Sequence, residues 1–194
     1  MTEDSIQQRI DAAFRQVSQV VWIVTAQDGA RRGGLLATWA GRASIDPARP
    51  LATAAIAENH YTRELIDSSG AFALHLIAAD QVELAWRFAI GSGRDRDKLA
   101  EVAHRRGASG SPILDSCVAW FDCQTFARHS TGDRIYYWAD VLDAGQPGHA
   151  APLRDDELFS LATETQLAEL GANMRADIAA QRPLYETWRV GLSE

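Results

Sequence analysis

The sequence is poor in cysteine, in basic charge and in long apolar runs, and each shortage removes a class of function. Cys117 and Cys123 are its only cysteines in 194 residues. Spaced six apart, they would share a face of one strand at a separation too great for a bridge. Both are expected to be small buried hydrophobes. The chain has 19 Lys and Arg against 26 Asp and Glu, a formal charge of −7. That balance argues against a nucleic-acid surface, since binding phosphate backbones needs a basic face. No apolar run nears the roughly 18 residues of a membrane span. The polar, acidic start MTEDSIQQRI lacks the basic and apolar regions of a signal peptide, so a cytoplasmic location is expected. His60, His75, His104, His129 and His149 show no ligand spacing, and no metal is expected. Missing too are a Gly-x-Ser-x-Gly elbow, a Gly-x-Gly-x-x-Gly turn after a strand and a Walker loop. No nucleophile is paired with a base, so no catalytic residue is assigned. A reaction would have to rest on a bound cofactor.

What is present suffices for one core. At 46% hydrophobic residues, residues 1–194 read as a single domain without repeats or low-complexity linkers. Ile6, Ile10, Phe14 and Val17 recur at helical spacing, with Asp4 or Ser5 as the cap, which predicts an N-terminal helix over 5–18. Residues 20–26 (VVWIVTA) form a β-branched, aromatic strand, and Gln27-Asp28-Gly29 a hairpin turn. The following Arg31-Arg32-Gly33-Gly34 reads as a solvated loop or, less economically, a phosphate cradle. Residues 71–77 (AFALHLI) predict a buried strand whose His75 is a core histidine, and 81–88 a short helix. The segment 91–98 (GSGRDRDK) is either an exposed loop or one that closes over a cofactor phosphate. Residues 116–128 and 134–144 make a long hairpin. From 155 to 182 the composition favours one or two helices with an apolar stripe to bury.

The stretch 34–68 organises the rest. Apolar runs at 34–39 and 51–57 are split by Ile45-Asp46-Pro47, and the polar tetrad Asn59-His60-Tyr61-Thr62 opens a short helix. Free N–H groups at a helix N-terminus favour an anion, which would hold a phosphorylated ligand without a glycine-rich loop. The motifs ATWAGRASIDP, AIAENHYTRELI and SGAFALHLI make the segment from about Phe14 to Gly145 resemble the flavin reductase-like family.

The resemblance implies a mainly β fold with peripheral helices (α+β), an antiparallel split β-barrel of FMN-binding type over about 20–145. It also implies an NAD(P)H-dependent flavin reductase with FMN, or FAD, passing hydride to flavin N5, as a homodimer, and a monooxygenase component as recipient of reduced flavin. The alternative is an FMN-binding flavoprotein without reductase activity. Thr38, Trp39 and Ala40 match the strand end along the flavin, and Ser44 the serine near its ribityl or phosphate. Asn59, His60, Tyr61 and Thr62 match the segment meeting the phosphate, and Ser92, Arg96 and Lys98 are further phosphate candidates. Pro47-Ala48-Arg49-Pro50 stands where the family has consecutive prolines. Gly132-Asp133-Arg134 replaces a common Gly-Asp-His, which puts Arg134 on the nicotinamide side and the usual interaction there in doubt.

Overall fold

The computed structural model describes residues 5–192. Helix α1 (Ile6–Phe14) opens on Ser5, whose hydroxyl accepts the Gln8 amide while the Gln8 side chain accepts the Ser5 amide. This reciprocal box satisfies two N-terminal donors; Asp4, the other cap candidate, lies outside the described residues. The helix is shorter than the expected 5–18, and none of its residues is buried.

The strands are β1 (Trp22–Asp28), β2 (Arg31–Ala37), β3 (Ala40–Arg42), β4 (Leu51–Ala57), β5 (Ala71–Leu76), β6 (His104–Arg106), β7 (Pro112–Leu114), β8 (Ala119–Ser130) and β9 (Arg134–Gly145). Seven form one antiparallel sheet, ordered β2-β1-β5-β8-β9-β4-β3, with β6 and β7 paired separately. β2 and β3 are opposite edges of this sheet, yet only Thr38 and Trp39 separate them. Two residues reach roughly 10 Å at most, so the sheet must curl until its edges meet. The result is the half-closed barrel expected, and the bend that closes it carries two candidate site residues.

Alternation along the strands splits the core. Trp22, Val24, Ala26, Ile56, Phe72 and Tyr137 face the barrel interior. Val21, Ile23, Ala73 and Ile77 face outward under α3 (Val82–Ala89) and the β6–β7 hairpin. Small residues along β4 (LATAAIA) leave room inside for the larger ones. The α2 helix (Tyr61–Ser69) ends at Gly70, whose φ of 69° is the left-handed turn that favours glycine. Helices α4 (Asp155–Ser160) and α5 (Glu164–Gly191) follow the barrel, α5 running well beyond 182 with Pro183 inside it.

Several local expectations change. Arg31-Arg32-Gly33-Gly34 is neither loop nor phosphate cradle but the first half of β2, paired with Asp28 to Thr25 of β1. Cys117 precedes β8, so the two cysteines do not share a strand; both are nonetheless buried and free. Burial pushes their thiols up to about 11 and about 12, leaving them unreactive. Among the described residues no helix is long and apolar enough to cross a membrane, and no group of three or more His, Cys, Asp or Glu could hold a metal.

Candidate functional site

A cleft of about 600 Å³ opens where the β2–β3 bend, the N-terminus of α2, the 91–98 loop and α5 converge. Its floor is the end of β2, and close packing of this floor requires small residues. A Cβ on Gly34 would come within 2.7 Å of the Phe88 ring, and one on Gly93 within 2.7 Å of the Tyr61 ring. Tyr61 is thereby sandwiched, with the Arg94 guanidinium 5.7 Å from its ring centre. At the rim the Arg134 guanidinium stacks 4.3 Å over Trp39, a large aromatic left 48% exposed. Register places Arg134 opposite Ala57, beside the tetrad.

The polar wall is the start of α2. His60 is its N-cap and makes no side-chain capping bond. Thr62, in the first turn, is only 2% exposed and lines the cleft. Its hydroxyl lies where helix N–H groups concentrate positive charge. Two cations adjoin. Arg94 donates to the Asn59 carbonyl at 3.1 Å and pairs with Glu64. Lys98 is buried and donates to the Phe88 carbonyl at 2.9 Å. Burial, helped by Arg96, lowers its ammonium to about 8. Opposite the helix, the α5 carboxylate of Asp177 accepts from Asn59 Nδ2 at 2.7 Å and meets His60 Nε2 at 3.0 Å.

Of the residues nominated from sequence, Thr38, Trp39, Asn59, His60, Tyr61, Thr62, Ser92, Lys98 and Arg134 line this one cleft. Ala40, Ser44 and Arg96 do not. Ala40 opens β3 and packs against the barrel core. The Ser44 hydroxyl caps the turn by accepting the Asp46 amide at 3.1 Å. Arg96 turns away, donating to the carbonyls of Arg87 and Ile90. Arg94 and Asp177 escaped sequence reasoning. Arg94 carried the same loop signal as Arg96, whereas Asp177 gave no signal on a polar helix.

The sequence profile described as the flavin reductase like domain matches residues 14–157. The chain belongs to this family. It is 34% identical over 130 residues, 66% of its length, to the actinorhodin polyketide dimerase of Streptomyces coelicolor, covering 71% of that protein. It is 27% identical over 144 residues to diflavin flavoprotein A 1 of Synechocystis sp., covering 72% of this chain and 24% of that one. The chain thus spans about a quarter of the length of such diflavin relatives. Among solved structures, nitrilotriacetate monooxygenase component B from Mycobacterium thermoresistibile superposes with a TM-score of 0.65 at 26% identity, over 75% of this chain and 79% of that one. An Arthrobacter flavin reductase domain protein, 21% identical with a TM-score of 0.69, shares the fold over 77% of this chain and 90% of its own.

Proposed function

We propose that this protein is an NAD(P)H-dependent flavin reductase that holds FMN, with FAD as the alternative flavin, in the cleft between β2, α2 and the 91–98 loop. The observation that carries the reading is Thr62: a threonine only 2% exposed at the N-terminus of a nine-residue helix, lining a cleft of about 600 Å³. The donor set fits a phosphorylated flavin. Thr62 and the first amides of α2 would take the phosphate, with Arg94 and Lys98 adding charge. The backbone and hydroxyl of Thr38 and the ring of Trp39 would lie along the isoalloxazine. Held there, a flavin would supply the hydride-accepting chemistry toward a nicotinamide. The chain's part is to orient the ring, exclude water from one face and leave the other open, so proximity provides the rate and no general base is needed. Arg134, stacked on Trp39 at the rim, would meet an anionic nicotinamide nucleotide.

Family membership and the likeness to a monooxygenase component B support reduced flavin passing on to a separate monooxygenase. The two free, buried cysteines suit a reducing cytoplasm. A second reading, a flavoprotein that carries FMN without nicotinamide turnover, is favoured by Arg134 standing where many reductases have histidine. The two part on whether NADH bleaches the bound flavin.

Titrating FMN and riboflavin into the wild type and Thr62→Val tests the phosphate seat. Losing one hydrogen bond to a charged acceptor costs about 1.5–3 kcal/mol. FMN should therefore bind roughly ten- to a hundred-fold more weakly to the variant. Riboflavin, lacking the phosphate, should change far less. Equal losses for both ligands, or none, would put the phosphate elsewhere.

A further inference from the structure

Resting on the flavin reading above, the contact between α5 and the tetrad points further. Asn59 Nδ2 and His60 Nε2, adjoining the N-terminus of α2, meet the two oxygens of one carboxylate, Asp177, at 2.7 and 3.0 Å. One turn along α5, Gln181 Nε2 donates to Asn59 Oδ1 at 3.1 Å. This bond fixes the Asn59 amide with its NH₂ toward Asp177. Two side-chain donors converging on a two-oxygen anion beside a helix N-terminus is the arrangement a phosphate would use. Thr62, only 2% exposed, lies in the same wall.

Elsewhere α5 rests on a few contacts: Leu170 packs on the outer core cluster, Trp188 meets the His129 ring edge-on at 6.3 Å, and Leu184 and Trp188 close over Gly132. Of its 28 residues only Gln181 is buried, while Leu167, Met174, Ile178 and Leu184 stay exposed. The His60–Asp177 pair is itself about one-third exposed on each side, so it adds little to stability. A phosphate delivered to this wall would meet the Asp177 carboxylate as a like charge competing for the same donors.

We propose that Asp177 is an internal competitor for the flavin phosphate, and that α5 is a strap which a phosphorylated flavin displaces and an unphosphorylated one leaves in place. The competition weakens FMN selectively and speeds its release. That is the behaviour required if flavin is a substrate that leaves after reduction, not a permanently held group.

The test compares dissociation constants of FMN and riboflavin for the wild type, Asp177→Asn and Glu186→Gln. The last removes an exposed carboxylate of the same helix away from the cleft, and so controls for overall charge. Asp177→Asn keeps the shape and removes the charge, so FMN should bind roughly ten-fold tighter, with riboflavin within about two-fold. Glu186→Gln should match the wild type. Hydrogen exchange of residues 164–191 gives a second readout: faster with FMN than with riboflavin in the wild type, and fast in Asp177→Asn without either. Riboflavin binding with an unmoved or weakened FMN affinity in Asp177→Asn would overturn the strap and leave the flavin reading intact. Binding of neither flavin to any form would overturn both.

Discussion

Lys98 is the most informative single side chain after Thr62. Its ammonium is buried, bonded to the Phe88 carbonyl, and lowered to about 8 from its ordinary 10.5. Below about pH 8 it is charged and can support a phosphate across the cleft; above, it becomes neutral. FMN affinity should therefore weaken as pH rises through about 8, while riboflavin affinity stays flat. Lys98→Met should lower FMN affinity below pH 8 and remove that dependence. An FMN profile that ignores pH between 7 and 9, by titration at constant ionic strength, would take Lys98 out of the site. Sequence chemistry nominated Lys98 and Arg96 alike, because both are cations in one loop. Only the fold separates them, turning the Arg96 guanidinium back onto the carbonyls of Arg87 and Ile90.

Among the elements, the strands were legible where patterning was strong. The apolar runs that became β4 and β5 are bounded by turn residues, and Gly70 marks the end of α2. The β6–β7 hairpin was not legible: its strands are three residues each, and HRR has no apolar alternation. Its attachment is tertiary. His75 on β5 donates from Nδ1 to the Ile23 carbonyl at 3.1 Å and accepts the Leu114 amide at Nε2 at 3.1 Å, linking β1, β5 and β7. Burial holds its imidazole down at about 4, against an ordinary 6.5. Between those values the unfolded chain binds a proton that the fold refuses, so stability present above pH 6.5 is lost as pH falls toward 4. Urea midpoints should be flat above pH 7 for this group and fall through that window. His75→Gln should be less stable at neutral pH, with a shallower acid slope. Parallel slopes for the two proteins would show that His75 does not titrate as its burial implies. Helix α5 was legible as a helix but not as a wall of the cleft, since its contacts to Asn59 span 118 and 122 residues of sequence.

For the whole molecule, the curled sheet follows from connectivity alone: opposite edges joined by Thr38 and Trp39 must meet. The surface leaves a question of assembly. Ile6, Ile10 and Phe14 on α1, and Met174, Ile178 and Val190 on α5, are all about half exposed or more. Apolar faces of this extent favour a partner, and a homodimer is the proposed assembly. Sedimentation at micromolar concentration should give twice the 21.3 kDa chain mass; a monomer would contradict it. Electron transfer is the property that decides the function. The most direct measurement is the oxidation of NADH and of NADPH by the purified protein, followed at their near-ultraviolet absorbance with FMN added. A reductase will show flavin-dependent oxidation of at least one nucleotide, abolished when the flavin is omitted. Binding of FMN with neither nucleotide oxidised would contradict the reductase claim.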